Sequence, residues 1–221
     1  GLALARRVSG GGTVVHDNGS WNLAVVMPRS AYAACDVYGL FQAWIAGLID
    51  GASCKGGEGV FVEDKKVSGH AYCYRQDRVL HHGTLLVESD LPRLRRALQV
   101  QPSAFTTHAV TSNPAPVANL SEWGASSQEI VAAVQDAVVK TWGTCELFDA
   151  APNLQRVRSI AAWDRVFGGT PRFTTIIGDR TWVVRHGRVE SMADSHGEGP
   201  TTTYERGQGP FFVYKELFLS G

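Results

Sequence analysis

A run of three glycines near the start of the chain, Gly10 to Gly12, constrains the local fold more than any other sequence feature. It follows the paired arginines Arg6 and Arg7 and precedes the β-branched segment Thr13 to Val15. Such a run forms a bare turn between extended segments, where backbone N–H groups can lie against an anion or a polar ligand. The spacing excludes a Walker loop, because no Gly-Lys-Ser/Thr follows, and it is not that of a dinucleotide-binding fingerprint. A glycine-rich hairpin that binds nothing is equally compatible with this run alone.

Two later segments also place small residues beside cationic and imidazole groups. They are Lys-Val-Ser-Gly-His-Ala at residues 66–71 and His-His-Gly-Thr-Leu-Leu at residues 81–86. Together with the Arg-Arg-x-Ser-Gly-Gly-Gly-x-Val-x-His-Asp loop at residues 6–17, they resemble, in order, the motifs of the lipoate-protein ligase A family. This family belongs to the larger group of biotin and lipoate ligases and octanoyltransferases. Val-Ala-Asn-Leu at residues 117–120 and the join at residues 163–173 are also similar to family segments.

The resemblance implies an α/β (α+β) fold of the class II synthetase and biotin ligase type. We expect a mixed, mostly antiparallel sheet flanked by helices, with a catalytic acyl-ligase domain over residues 1–150 and a small C-terminal accessory domain over residues 151–221. Because the family carries further strands before its Arg-Arg loop, we expect the family's N-terminal part to be absent from this chain. Arg-Gln-x-Arg-x-Leu-His-His-Gly at residues 75–83 is similar to the fungal-type mitochondrial branch.

Residue patterns in the first half of the chain predict an antiparallel sheet and one long helix. Gly1 to Ala5 is typical of the end of a strand, and Trp21 to Met27 predicts a buried strand that Pro28 ends. Apolar residues at three- and four-residue intervals predict one helix, capped by Ser30 and ended by Gly51. Polar turns then separate three strands, predicted at Gly59–Glu63, Lys66–Tyr74 and Val79–Glu88.

The second half predicts a mixture of short helices, a long loop and two further strands. Ser89 or Asp90 caps a short helix, and the proline-containing stretch from Gln99 to Trp123 predicts a loop. Ser126 to Glu129 forms a capping box that opens a helix ended by Gly143. The remaining predictions are a helix from Leu154 to about Trp163 and strands at Arg172–Ile177 and Thr181–Met192, the latter broken by a His186-Gly187 turn. Ala193 to Pro210 is rich in glycine and threonine, and Phe211 to Leu219 is left unassigned.

Composition excludes several classes of partner and site. Lysine plus arginine and aspartate plus glutamate both total 21, so the balance of charge favours neither nucleic acid nor an anionic membrane as a partner. The four cysteines include no Cys-x-x-Cys pair, which favours free thiols in a reducing compartment over a structural zinc site or a disulfide framework. No apolar stretch is long enough to predict a membrane span. We expect no metal site built by the protein alone.

Lys66 is the predicted catalytic residue. The resemblance implies that ATP, with Mg²⁺, activates a carboxylic acid as an acyl-adenylate, and a lysine ammonium is suited to offset the charge of the α-phosphate. Alternation along a strand predicts that Lys66 and Ser68 share one face and that His82 and Thr84 share another. If the two faces coincide, a lysine, two hydroxyls and an imidazole converge. The alternative is a solvated turn lysine beside Lys65.

The resemblance implies a set of substrate-binding residues on both sides of Lys66. The backbone N–H groups of the glycine loop would bind the phosphate or carbonyl, and an acidic residue before the lysine would lie near the adenosine. The set comprises Arg7, Ser9, Gly12, Thr13, Val14, His16, Glu58, Ser68, Gly69, Ala71, His82 and Thr84. His16 is also compatible with a structural role, and Asp17 is expected to hold a neighbouring loop or arginine.

Three further side chains have more than one interpretation. His70 and His81 are expected to be structural or on the surface, and a zinc site built from them and His82 is disfavoured because no cysteine or carboxylate accompanies them at ligand spacing. Cys54 precedes Lys66 by twelve residues. It could form the acyl thioester that octanoyltransferases of the superfamily use, or be an ordinary free thiol.

The function implied by the resemblance is that of a lipoate-protein ligase or lipoyltransferase. Such an enzyme activates lipoate or octanoate and transfers the acyl group to a lysine of an apo-lipoyl domain, of the dehydrogenase complex E2 or glycine cleavage H protein type. The alternatives are ATP-independent acyl transfer between carrier proteins and a non-catalytic fragment that binds a carrier. A biotin ligase is disfavoured, because the Gly-Arg-Gly-Arg type of loop is absent. We expect the mitochondrial matrix if the source is eukaryotic, and otherwise the cytoplasm.

Overall fold

The computed structural model describes residues 3–55, 59–98, 105–109, 114–144, 146, 151, 153–194, 201–203 and 205. The chain divides into two compact units. The larger unit comprises Val8–Leu98 and Ser112–Asp149, and the smaller unit comprises Gly1–Arg7, Gln99–Thr111 and Ala150–Gly221. The smaller unit thus includes two segments that precede residue 150, and the assignment of catalytic and accessory domains stays a prediction.

In the described part of the larger unit, five strands form one antiparallel sheet in the order β1-β5-β4-β3-β2. The strands are β1 (Ser20–Pro28), β2 (Ser53–Cys54), β3 (Val60–Val62), β4 (Lys65–Arg75) and β5 (Arg78–Leu86). Tight turns in the left-handed region, at Glu63 and Asp64 and again at Gln76, join β3 to β4 and β4 to β5. The predicted three-stranded antiparallel region is therefore confirmed.

Strand β1 lies at the edge of this sheet, and the prediction of a buried strand was wrong. Leu23, Val25 and Met27 pack against helix-borne apolar residues on one side of the sheet. On the other side Val26 is 64% exposed. The apolar run suggested burial on both sides, but helices cover this strand on one side.

The predicted long helix is two helices. They are α1 (Arg29–Ala33) and α2 (Val37–Ala46), and the carboxylate of Asp36 separates them by accepting a hydrogen bond of 2.9 Å from the N–H of Gly39. An aspartate at this position caps the helix that follows it. The helix also ends before Gly51, at Ala46.

Two other helices of the larger unit confirm their predicted caps. In α3 (Leu91–Leu98) the Asp90 carboxylate accepts a hydrogen bond of 2.9 Å from the N–H of Arg93. In α4 (Ser127–Trp142) Ser126 and Glu129 form the predicted capping box, and Gly143 follows the last residue. A short 3-10 helix (Leu120–Trp123) and the strand described below occupy part of the stretch that was predicted as a loop.

The main core lies between the sheet and the helices. It consists of buried aliphatic residues from α2, the sheet, the chain beyond β5 and α4: Ile45, Ile49, Val60, Val62, Val67, Leu85, Val87, Leu120 and Ile130. Burying each such side chain contributes about 1.5–3 kcal/mol relative to leaving it exposed. This packing holds one side of the sheet rigid, which fixes the positions of the motif residues that the same strands carry on the other side.

The described part of the smaller unit contains a second antiparallel sheet, in the order β10-β9-β8-β7-β6. Its strands are β6 (Phe105–Thr107), β7 (Phe173–Ile177), β8 (Arg180–Arg185), β9 (Arg188–Asp194) and β10 (Thr202–Thr203), and its helices are α5 (Leu154–Ala161) and α6 (Trp163–Val166). The His186-Gly187 turn is confirmed, since both residues have positive φ angles.

Three sequence predictions for the smaller unit need correction or fall outside the structure. Ala3 to Ala5 form no strand, and the helix predicted from Leu154 to about Trp163 ends at Ala161. Residues 195–200 and the segment from Phe211 to Leu219 lie outside the described residues. In the described part of the chain no helix has the length and apolar character needed to cross a membrane.

Candidate functional site

A β-bulge in β4 decides which side of the sheet Lys66 faces. Phe61 of β3 pairs with Lys66, but the preceding residue Val60 pairs with Ser68, so that Val67 is an extra residue in the ladder. Directly opposed residues of an antiparallel pair share a face, and neighbouring residues of one strand alternate. Lys66 therefore shares a face with Phe61, and Ser68 shares the opposite face with Val60. The prediction that Lys66 and Ser68 lie together was wrong, because alternation does not hold across a bulge.

The same side of the sheet carries the other predicted residues of β4 and β5. Gly69 pairs with Thr84, and Ala71 pairs with His82. The Lys66 side chain passes over Gly69, since a Cβ atom at residue 69 would lie 3.3 Å from Lys66 Cε and 3.7 Å from Nζ. We call this side, with Lys66, Gly69, Ala71, His82 and Thr84, the site face. The lysine, one hydroxyl and the imidazole therefore lie on one side of the sheet, and Ser68, the second hydroxyl of the prediction, does not.

Two glycines and an aromatic ring define the space around the Lys66 side chain. A Cβ atom at residue 59 would lie 2.9 Å from Lys66 Cε and 2.0 Å from the carbonyl oxygen of Ser68, and the φ angle of Gly59 is 138°. Both the contact and the backbone conformation therefore require glycine at residue 59. Lys66 Nζ lies 5.9 Å from the centroid of the Phe61 ring, within the range of a cation–π contact.

The backbone of Lys66 is held by a segment that lies within the stretch predicted as a loop. Its N–H donates to Pro116 O at 2.7 Å, and the N–H of Ala118 donates to Lys66 O at 3.3 Å. These bonds form a parallel bridge between Lys66 and Val117 beside β4. Because Ala118 and Leu120 are fully buried, this segment is fixed to the core and fixes Lys66 in turn.

Ser9 ties the glycine loop, residues 8–17, to the site face. Its Oγ lies 2.6 Å from Nε2 of His82, in a hydrogen bond that joins residues 73 positions apart. Of the other predicted loop residues, Gly12, Thr13, Val14 and His16 are exposed. The loop thus contacts the site face where Ser9 binds His82. The exposed residues of the loop follow Ser9 within a few positions of the sequence.

Asp17 anchors the end of the glycine loop, as predicted. Its carboxylate accepts hydrogen bonds from the N–H of Asp90 at 2.8 Å and of Gly19 at 3.0 Å. Burial alone would raise the pKa of Asp17, but the N–H donors of Asp90 and Gly19, the Ser89 hydroxyl and the charge of Arg93 outweigh it, and the pKa is lowered. The residue is therefore a carboxylate at neutral pH and acts on neighbouring backbone.

The two arginines before the loop belong to the smaller unit. Arg6 donates from Nε and Nη2 to the Val166 carbonyl oxygen at 2.8 and 2.6 Å, and from Nη2 to Thr170 Oγ1 at 3.1 Å. Arg6 therefore caps the end of α6. Burial and, to a lesser extent, the charge of Arg6 lower the pKa of the Arg7 guanidinium. The substrate role of Arg7 stays a prediction.

The opposite side of the sheet, which we call the helix face, carries a chain of hydrogen bonds. Ser68 Oγ lies 3.2 Å from His70 Nε2, His70 Nδ1 lies 3.1 Å from His81 Nε2, and His81 Nδ1 lies 2.9 Å from Tyr32 Oη. Burial and, to a lesser extent, the charges of His81, Lys66 and His82 lower the pKa of His70 to about 4, and burial with the charge of His82 lowers the pKa of His81 to about 4. Both imidazoles are neutral at pH 7, and Ser68 belongs to this chain instead of the site face.

The comparison with known families shows which family the chain belongs to. The sequence model of the lipoyl protein ligase A/B catalytic domain matches residues 1–142, which is more than half of the chain. This range contains the glycine loop, the site face and the segment that holds Lys66. The chain belongs to this family.

Relatives of this ligase family member agree with the assignment. The lipoate-protein ligase A of Psychrobacter cryohalolentis is 32% identical over 193 residues, which are 80% of this chain and 57% of that protein. The chain therefore spans less than two thirds of this curated relative. Two solved structures, each 20% identical, share its mixed α+β fold. A T. acidophilum protein with bound lipoic acid has a TM-score of 0.53 and covers 76% of this chain and 72% of its own. P. falciparum LipL1 in complex with lipoate has a TM-score of 0.52 and covers 85% and 60%.

Two residues to which the sequence assigned no role are connected to this site. Lys55 Nζ lies 5.0 Å from the centroid of the Phe61 ring and forms an ion pair with Asp64. Asn119, in the family's Val-x-Asn-Leu segment, follows the residues that hold the Lys66 backbone. The sequence signal for Lys55 was the presence of a lysine among the small residues that precede β3. The motif match was the signal for Asn119, but it carried no role.

Cys54 lies on the wrong side of the sheet for an acyl thioester beside Lys66. It pairs with Val60 and so lies on the helix face, whereas Lys66 pairs with Phe61. Glu58 lies outside the described residues, so its predicted position near adenosine is not addressed. The three histidines of the zinc hypothesis do not lie together. His70 and His81 bind each other on the helix face, whereas His82 binds Ser9 on the site face.

Proposed function

We propose that this protein is a lipoate-protein ligase that activates lipoate or octanoate with ATP and transfers the acyl group to a lysine of a lipoyl domain. The observation that carries the proposal is the convergence of Lys66, His82 and Thr84 on the site face, with the glycine loop bound to it through Ser9. The name of the P. cryohalolentis relative and the lipoate bound to structures of the same fold support it.

In the first step a carboxylate oxygen of the acid attacks the α-phosphorus of ATP, and the bond to pyrophosphate breaks. Negative charge grows on the α-phosphate oxygens, and a fixed ammonium group stabilises it most where water is excluded. Lys66 meets this requirement because glycines, an aromatic ring and backbone bonds hold it in place. The glycine loop, in which Gly12 and Thr13 are exposed, is suited to bind the remaining phosphate or carboxylate oxygen through its backbone.

In the second step the amine of the carrier lysine attacks the acyl carbon, and AMP leaves with the electrons of the broken carbon–oxygen bond. The chain's part here is to keep the mixed anhydride positioned and away from water. His82, bound to Ser9, keeps the glycine loop against the site face. Lys66 stabilises the departing phosphate of AMP, so the same side chain acts in both steps.

The described residues do not form a protein site for Mg²⁺. They include no group of three or more histidine, cysteine, aspartate or glutamate side chains that could hold a metal ion. Of the carboxylates described above, Asp17 is bound to backbone N–H groups and Asp64 forms an ion pair with Lys55. We therefore propose that Mg²⁺ accompanies the ATP phosphates, and no step above depends on it.

The partner proposed for the second step is an apo-lipoyl domain of the dehydrogenase complex E2 or glycine cleavage H protein type. The support is chemical: the product of the first step is an acyl donor, and its acceptor must present a single accessible lysine. For a eukaryotic source we propose the mitochondrial matrix, from the fungal-type sequence detail at residues 75–83.

Intact-mass analysis of an apo-lipoyl domain tests this function. The domain is incubated with the protein and lipoate or octanoate, with and without ATP and Mg²⁺. We expect a mass gain of one acyl group only with ATP, and the acid that gives it is the substrate. A gain from an acylated carrier without ATP would replace the ligase by a transferase. Retention of the carrier without any gain, even from synthetic lipoyl-AMP, would leave a binding fragment.

A further inference from the structure

Two distant segments bind the backbone of the same turn, Ser89-Asp90, between β5 and α3. Asn119 Oδ1 accepts a hydrogen bond from the N–H of Ser89 at 3.0 Å, and its Nδ2 donates to Ser89 O at 2.9 Å. Asp17 Oδ2 accepts from the N–H of Asp90 at 2.8 Å. The Asp17 bond lies at an exposed position, whereas Ser89 is only 6% exposed, so the two bonds of Asn119 are shielded from water. Unmade hydrogen bonds are costly at such a position, and the turn therefore constrains both partners.

The first partner leads to Lys66. Asn119 directly follows Pro116 to Ala118, whose backbone holds the N–H and carbonyl groups of Lys66. The backbone of Asn119 is also held in place, because its N–H donates a hydrogen bond to Glu122 Oε1 at 3.1 Å. Movement of Asn119 would therefore shift the backbone on which the Lys66 ammonium is mounted.

The second partner leads to the glycine loop. Asp17 is its last residue, and the carbonyl oxygen of Gly19 accepts the N–H groups of Val87 and Glu88 at 3.0 and 2.9 Å. The end of the loop is thus fixed to the chain just before the turn, and Asp17 extends this connection to Asp90. The glycine loop and the segment that holds Lys66 are consequently bound to two consecutive residues, Ser89 and Asp90.

We propose that Asn119 and Asp17 are positioning residues that set the spacing between Lys66 and the glycine loop through the Ser89-Asp90 turn. This inference rests on the proposed function and adds to it the contacts that align Lys66 with the glycine loop. Neither side chain needs to touch a substrate. The competing explanation is that each residue only stabilises its own segment.

Hydrogen exchange of the ligand-free full chain separates the two explanations. In Asn119→Ala we expect the hydrogen-bonded N–H groups of Asp17, Gly19 and Ser20, which Asn119 does not bind, to exchange about fivefold faster, the size of effect expected for one lost hydrogen bond. In Asp17→Asn we expect the Lys66 N–H to exchange faster by a similar factor. Faster exchange confined to each variant's own segment would overturn the proposal, whatever the catalytic activity.

The rate of acyl-adenylate formation provides the second measurement. We expect each single variant to lower kcat about tenfold, because small displacements of a charge stabiliser are costly, with a smaller change in KM for ATP. The double variant should be no slower than about the worse single variant, since both break one connection. Independent effects that multiply would contradict the shared turn.

Two further variants keep the test sharp. Ser126→Ala removes the helix cap of α4 in the same unit, so it loses stability without touching the turn. Both its exchange at the N–H groups of Asp17, Gly19 and Ser20 and its kcat should match the unmodified protein. Asn119→Asp keeps the side-chain volume but sets an oxygen against Ser89 O, and it should behave like Asn119→Ala. An unmodified protein that forms no acyl-adenylate would refute the proposed function, and the exchange measurement would still decide the positioning role.

Discussion

The ammonium group of Lys66 lies in a space that two glycines leave open, and this determines what substitutions there should do. Lys66→Ala removes the charge, and we expect acyl-adenylate formation to fall on the order of a hundredfold or more, as for other lost charge stabilisers. Lys66→Arg should restore little, because a planar guanidinium is wider than the ammonium and does not suit the gap beside Gly59 and Gly69. The measurement is the rate of pyrophosphate release with lipoate and ATP.

The neighbouring lysine is the matched control for this prediction. Lys65 forms an ion pair of 3.3 Å with Glu122 on the surface, and exposed pairs contribute little to stability, about 0–1 kcal/mol. Lys65→Ala should therefore keep a rate within about twofold of the unmodified protein. A Lys66→Ala variant as fast as Lys65→Ala would remove Lys66 from the mechanism.

At the scale of elements, the break between α1 and α2 depends on one carboxylate. We expect Asp36→Ala to lower the free energy of unfolding by about 1 kcal/mol, the usual cost of a lost N-cap. Asp36→Asn keeps an oxygen acceptor for the N–H of Gly39 and should stay close to the unmodified protein. Urea unfolding of the three proteins measures the difference. Equal losses in both variants would show that the hydrogen bond is not what stabilises the start of α2.

The same scale shows where sequence patterns succeed and where they stop. Strands β3 to β5 and the capping box at Ser126 follow from local rules, because turn residues and caps act within a few positions. The bulge at Val67 does not, since it arises from pairing with β3, and it moved Ser68 from the predicted site to the helix face. Strand β6 was missed because three residues pair with β7 across 66 positions, from Thr107 to Phe173. The motifs located Lys66, His82 and Ser9, but only the register showed which of the others join them.

The whole molecule should become less stable in mild acid, because His70 and His81 are neutral in the fold. Their pKa values of about 4 lie below the ordinary value of 6.5, so the unfolded chain binds more protons between these limits. The contribution of the neutral pair is complete above pH 6.5 and is lost as the pH falls towards 4. The slope of the unfolding free energy against pH gives the number of protons taken up on unfolding, and we expect His70→Gln to lower this number by about one.

Urea unfolding at several pH values between 4.5 and 7.5 measures that slope. A His70→Gln protein with an unchanged slope would mean that the imidazole is not held neutral by its surroundings.

The partners of the site face also fix when it can exist during synthesis. Strand β1 has no partner until β5 has been made, because Ser20 pairs with Leu86. The backbone of Lys66 waits longer, for residues 116–118. A ribosome translates the glycine loop first, yet the nascent chain cannot assemble this face until residue 118 has left the exit tunnel. A truncated product that ends after residue 86 but before residue 116 therefore carries all three motifs without the segment that holds the Lys66 backbone.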